Sequence, residues 1–267
     1  MSRSQPTPRH AAAATPWRWA FFGALLGLFI VPVFFAPASW LTSAVNEASA
    51  GQVQLIEARG TLWTGSARLV LAGGAGSRDS AALPGRMGWK LRPGWLAMNV
   101  HVRADCCTPT PLEARLTPRW GQVKLELTDG TSQWPAALLA GLGTPWNTVQ
   151  ADGTLQLVTQ GLQLEVVKGR VSMLGRIDLT AANMSSRLST LKPMGSYRMT
   201  LTGGDAAALE LSTLEGSLQL TGSGRWVGSR LRFEGVATAV PEHEAALANL
   251  LNIIGRRNGA RSIITLG

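Results

Sequence analysis

Three histidines, two adjacent cysteines and a thin scatter of carboxylates are the residues that could carry acid, base, metal or redox chemistry in this sequence. His10, His101 and His243 lie far apart in the chain. His101 stands between Val100 and Val102 in a strand-like run, and His243 opens a helical one. No pair has the close spacing of a metal site on one element, and the expectation is no metal site and no cofactor. Nothing resembles HExxH, a G-x-S-x-G elbow or a phosphate loop, and the glycines of Gly73–Gly76 lack the lysine and following helix that a phosphate loop needs. Asp178 and Glu165 could in principle pair for general acid–base work, but two surface acids on strands fit the same pattern. The sequence therefore predicts no enzymatic activity.

Cys106 and Cys107 are the only cysteines. Their adjacency prevents a staple across a long loop. An oxidising compartment would allow a vicinal disulfide. Adjacent residues of a strand point to opposite faces, so one buried thiol beside one free or partner-bound thiol is the competing reading.

The elements that must position these residues begin with an apolar N-terminus. Ala20–Ala36 carries no charge, while Arg3, Arg9 and Arg18 precede it. Counted on to Ala38, the run is long enough at ~1.5 Å per residue to cross a hydrocarbon core of about 30 Å. Trp17 and Trp19 mark one end and Trp40 the other, where indoles favour the headgroup level. The basic residues on the N-terminal side predict a cytoplasmic segment 1–18, a transmembrane anchor 19–40 and an exported domain 41–267. Ala36-Pro37-Ala38 also fits the small-residue cleavage site of a signal peptide, and that alternative leaves the bulk of the chain exported as well.

Composition agrees with a membrane-associated, β-rich chain. Of 267 residues 45% are hydrophobic, 15% are charged and 30 are glycine, with a net charge of +9 to which the three N-terminal arginines contribute. A charged fraction this low excludes a disordered, charge-rich chain. There is no lysine cluster and no interleaving of aromatic and basic residues, so a nucleic-acid partner is excluded too. The surplus of basic residues could favour anionic headgroups or an acidic protein surface, or be a scatter of solvated arginines.

From Val53 onward apolar residues recur in twos. The alternation is clearest at Ala67–Leu71, Met98–Val102, Val123–Leu127, Gln156–Gln163, Val171–Leu179, Tyr197–Leu201, Leu209–Leu211, Leu218–Leu220 and Leu231–Val236, with glycine between most runs. Gly60–Leu71, Gly153–Leu164 and Gly216–Leu231 each start Gly-Ser/Thr-Leu and regain an apolar strand after a glycine turn, as repeated hairpins do. These features predict a mainly β fold, a twisted antiparallel sheet curled around its apolar face. Two short helices should cap it. One is Pro135–Leu142. The other spans 241–255, with acids in its first turn and Leu247, Leu250, Leu251 and Ile254 on one face. Ala260–Leu266 is expected as the last strand.

Two groups of residues could contact a partner. Trp134 and Trp146 flank the first short helix; they could form an indole-built partner site or simply close one end of the sheet. Arg256 and Arg257 follow the second helix and could bind phosphate or an acidic partner, or stabilise the helix end as cations. Trp63, Trp89 and Trp226 stand in strand-like contexts, as core or rim residues.

Several segments together carry a resemblance. A short charged N-terminus and single anchor precede GTLWTGSARL (Gly60–Leu69), GWKLRPGWL (Gly88–Leu96), GRWVGSRLRFEGVATA (Gly224–Ala239) and the ending NLLNIIGRRNGARSIITLG (Asn249–Gly267). In this order they resemble protein N of the type II secretion system, over nearly the whole chain. The resemblance implies a single-pass inner-membrane component of the machine that moves folded proteins across the outer membrane of Gram-negative bacteria. It implies a periplasmic domain, other secretion subunits as partners, and no catalytic residues to carry over. That family is also similar to AsmA-like proteins, whose curved sheets present an apolar trough. The rival expectation is a lipid-handling module whose inward Leu and Val side chains hold an acyl chain.

Overall fold

The computed structural model describes residues 17–74, 76–167, 170–228 and 230–267; residues 1–16, with His10 and most of the expected cytoplasmic segment, lie outside them. The chain divides into two compact units, 1–36 and 37–267.

The first unit holds helix α1 (Trp17–Phe35, 19 residues), continuous through Pro32. Its described apolar side chains Phe21, Phe22, Leu28, Phe34 and Phe35 are exposed, and that of Trp19 lies outside the described residues. Among the described residues no helix is long and apolar enough to cross a membrane. Within the expected span 19–40 the helix is interrupted near its C-terminal end. Helicity stops at Phe35 and restarts after Pro37, whose missing N–H suits a first turn, as α2 (Ala38–Ala48). Trp40 belongs to this second helix, where it is exposed. Ala38, Leu41 and Val45 of α2 pack on Leu55, Ala67 and Trp89.

The second unit is one antiparallel sheet. Its strands are β1 (Val53–Gly60), β2 (Thr64–Ala72), β3 (Ser80–Ala82), β4 (Met87–Pro93), β5 (Met98–Ala104), β6 (Leu112–Arg119), β7 (Gln122–Leu127), β8 (Gly130–Pro135), β9 (Asp152–Val167), β10 (Arg170–Ser185), β11 (Gly195–Thr202), β12 (Ala208–Gly216), β13 (Leu218–Val227), β14 (Arg230–Ala239), β15 (Arg256–Asn258) and β16 (Arg261–Leu266). Neighbours in space follow the chain, with only β15 and β16 exchanged at the far edge. β3 and β4 share one edge of β2, and β7 and β8 share one edge of β9. The path runs from β1 to β15 without closing.

Register makes one face apolar throughout. Trp89 opposes Val102, Val102 opposes Leu112, Leu116 opposes Leu125, Leu125 opposes Leu164, and Leu164 opposes Met173. An extra residue in β9 keeps the two long strands in phase. Gly161 lies at φ +55° and Gly175 at φ +91°, where a Cβ on Gly175 would meet the Gly161 carbonyl; a side chain there would break the bulge. A second close approach lies on the same face, where the ring of Phe233 crosses Gly222 and Gly235.

Helices cover this face at one end. A 3-10 helix (Ala136–Leu142), begun by Pro135 and ended at Gly143, packs against β2, β3 and β9, and the short α3 (Trp146–Val149) packs on it. A 3-10 turn (Pro241–His243) then leads into α4 (Glu244–Ile254). Leu247, Leu250 and Leu251 are buried against Leu155, Tyr197, Leu218 and Ala237, with Ile254 at the margin, as its spacing requires. A smaller cluster of Leu83, Ala104, Cys107 and Leu138 continues beside it. The expected capping helices are thus present, the first as a 3-10 helix. Arg256–Asn258, expected as a turn, is a short strand pairing with β16.

Candidate functional site

Opposite the apolar face, outward positions of β10 to β16 form an open trough of about 990 Å³. Its lining is mixed: Arg176 and Arg198, Glu210 and Glu234, and Ser and Thr from four strands stand beside Leu211, Val236 and Ile263. The period of two in these strands, with Leu, Tyr and Ala inward, leaves this alternation of charge and hydroxyl outward. This hollow lies on the face opposite the helix-capped core, into which the leucines point.

Asp178 anchors one wall. Thr200 opposes it across β11, and Arg176 is its neighbour on the same face. Arg176 Nε and Nη2 reach Asp178 Oδ2 and Oδ1 at 2.6 and 2.8 Å, and Thr200 Oγ1 donates to Oδ1 at 2.7 Å. The Arg176 hydrogen bond, helped by Thr200 and opposed by burial, holds the Asp178 carboxyl below its ordinary value, and Arg176 is raised in return. A carboxylate so engaged is an acceptor, not a proton donor. Glu165 opposes Ser172 and Lys124, whereas Asp178 opposes Val158, seven residues away along β9, so the two acids do not form a pair. What the trough offers is directional hydrogen bonding and charge of both signs.

The residues singled out from sequence are spread over the helix-capped end. Trp134 lies in β8, half-buried between two parts of the core, and its Nε1 donates to Ser132 Oγ at 2.8 Å. Trp146 begins α3 and is 41% exposed. Arg257 is engaged, its Nη2 bonded to Glu244 Oε1 at 2.9 Å and its Nε to the Gly259 carbonyl at 2.8 Å. Arg256 faces solvent. None of these four lines the trough.

Cys106 and Cys107 are bonded to each other. They sit in a turn after β5, not within a strand, with the Cys107 N–H donating to the Ala104 carbonyl and its own carbonyl accepting from Gln133 N. Cys107 is buried against Leu83 and Leu138, and Cys106 is exposed. Among the described residues no group of His, Cys, Asp and Glu could hold a metal ion. His101 instead faces Glu113 at 3.2 Å across β5 and β6.

Sequence reasoning assigned no place to Trp95 and Trp120. Both are almost fully exposed, at 96% and 103%. Their signal was present in the flanking Pro93-Gly94 and Gly121, which mark hairpin tips and so place the indoles outside any core.

The sequence model of the family described as type II secretion system (T2SS), protein N, matches residues 51–264. Searches of curated proteins and of solved structures returned no match.

Proposed function

Because the chain belongs to the type II secretion system protein N family, we propose that it is a non-enzymatic subunit of that machine, associated with the inner membrane through residues 17–35. Its β unit then lies in the periplasm, in contact with other secretion subunits during export of folded proteins. The observation that carries this reading is the family match, which spans the sheet from the turn before β1 into β16. The geometry supports a contact role. The sheet keeps an open edge at β1, whose backbone groups could take an added strand, and a trough whose mixed charged, hydroxyl and apolar lining suits a polypeptide surface.

Deleting the gene in the parent bacterium tests the function, with export of folded enzymes into the medium as readout. Export is expected to fall and to be restored by the full chain; unchanged export would overturn the reading. Alkaline phosphatase fused after Gly267 should be active, as it is only outside the cytoplasm. An inactive fusion would overturn the topology. Recovery of a mature chain starting near Ser39 would instead identify a cleaved signal peptide.

A further inference from the structure

The two ends of the sheet are built from different residues. At one end lie the 3-10 helix, α3, α4, the buried leucines and the loops between strands. At the other the strands join through bare hairpin tips: 60–64 between β1 and β2, 92–97 between β4 and β5, 119–122 between β6 and β7, 167–170 between β9 and β10, 203–207 between β11 and β12, and 225–230 between β13 and β14. Antiparallel pairing along one continuous path puts all six tips at the same end.

Large apolar side chains stand unburied there. Trp95 is 96% exposed and Leu96 72%, Trp120 is wholly exposed, and Trp226 and Val227 are 38% and 55% exposed. Just above the tips Val166 and Val171, paired across β9 and β10, are exposed as well. An indole in water leaves apolar area unburied, whereas at a headgroup boundary its ring is covered and its N–H remains hydrogen-bonded.

Charge points the same way. The described residues of the tips include Arg92, Arg119, Arg170, Arg225 and Arg230, and Asp205 is the one acidic residue among them. Arg92, Arg119, Arg225 and Arg230 are exposed, and among the described residues none of these four forms an ion pair. Elsewhere four arginines are paired with acids: Arg68 and Arg86 with Glu57, Arg176 with Asp178 and Arg257 with Glu244.

The chain also enters the β unit at this end. Pro37 bridges Thr61 in the tip between β1 and β2, and Trp40, in the first turn of α2, is exposed beside it. The apolar segment 17–35 precedes that point in the chain.

We propose that this hairpin end docks on an anionic phospholipid surface, with Trp95, Trp120 and Trp226 at the headgroup boundary and Arg92, Arg119, Arg225 and Arg230 against phosphates. From β4 to β14 the tips span roughly 40 Å along the sheet, broad enough to set the sheet upright on the bilayer. Each arginine close to such a surface favours binding about fivefold. The proposal rests on the inner-membrane reading for which membrane is met, not for the contact itself.

Spin labels or environment-sensitive fluorophores on single introduced cysteines test it, since Cys106 and Cys107 are bonded to each other and no other cysteine exists. The full chain carrying Trp95→Cys, Trp120→Cys, Leu28→Cys or, at the helix-capped end, Thr190→Cys is mixed with vesicles of phosphatidylcholine alone or with phosphatidylglycerol. The expected result is a several-fold rise in lipid exposure at positions 95 and 120 with phosphatidylglycerol, none at 190, and loss of that rise when Arg92, Arg119, Arg225 and Arg230 are all changed to Glu. A chain that floats with vesicles while labels at 95 and 120 stay aqueous overturns the docking proposal alone. Lipid exposure at 95 and 120 with an aqueous label at 28 overturns the anchor and leaves the docking standing. A chain that floats with neither vesicle overturns both.

Discussion

The helix-capped end and the bare hairpin end belong to one sheet and share its strands, yet they solve opposite problems. At the capped end α4 removes Leu247 and Leu251 wholly from water, and Ser262 Oγ, itself fully buried, donates to the Leu251 carbonyl at 2.7 Å. At the hairpin end indoles and valines stay uncovered, and among the described residues Arg92, Arg119, Arg225 and Arg230 form no ion pair. Burial of this kind is what holds a single-layer sheet together, because a lone antiparallel layer must cover one face to be stable. The difference teaches that stability and contact are divided between the ends, so that changes at one should leave the other's property intact.

The largest expected effect is at the capped end. Leu251→Ala should cost about 3 kcal/mol, since it empties a site closed by Leu247, Leu250 and the sheet; denaturant unfolding of the full chain in detergent would read it. A loss below about 1 kcal/mol would mean that α4 is not the cap that holds the sheet.

Ser262→Ala comes next. It leaves a buried carbonyl at the end of α4 without its bond, for a loss of about 1–2 kcal/mol in the same assay. A neutral result would point to another donor reaching Leu251.

The polar face should show a smaller, pH-dependent effect. Asp178 has its carboxyl lowered in the folded chain by Arg176 and Thr200. Its contribution is therefore present above the ordinary carboxylate value near pH 4 and is lost as pH falls through the lower, folded one. Asp178→Asn should cost about 1 kcal/mol at neutral pH and nothing at strongly acid pH, the exposure of Arg176 keeping the loss small. A penalty that persists in acid would contradict the pairing.

The smallest effect on stability is expected at the hairpin end. Trp120→Ser removes a fully exposed ring and should shift unfolding by less than about 0.5 kcal/mol. A large loss would show that Trp120 packs in the fold and would erase the contrast between the ends.

Much of the fold was legible in the residues. Alternation located β2, β5, β7 and β9 to β14, and the acids, spacing and Gly255 of segment 241–255 marked α4 and its buried face. Other strands left weaker traces. β8 reads GTSQWP, with hardly an apolar residue to alternate, and exists because β9 offers it an edge; β6 alternates cleanly but carries Pro118, which argues against a strand in sequence alone. The face that curls into a trough was not legible, since period two separates the faces without saying which becomes concave. The break between α1 and α2 was not legible, because Trp40 suggests an interface by residue type while Ala38, Leu41 and Val45 commit the same stretch to packing on the sheet. The partner residues were sought among indoles near helices, where Trp134 turned out to serve the core. The exposed ones, Trp95 and Trp120, were separated in sequence and met only when antiparallel pairing set their hairpins side by side.

Amide hydrogen exchange of the full chain, compared between neutral detergent and bilayers containing phosphatidylglycerol, tests the division between the two ends most directly. Slower exchange in bilayers over 94–97, 120–122 and 226–228, with unchanged exchange over α4 and residues 186–194, is the predicted result. Equal exchange at the tips in both media, or protection that gathers at the helix-capped end, would contradict it.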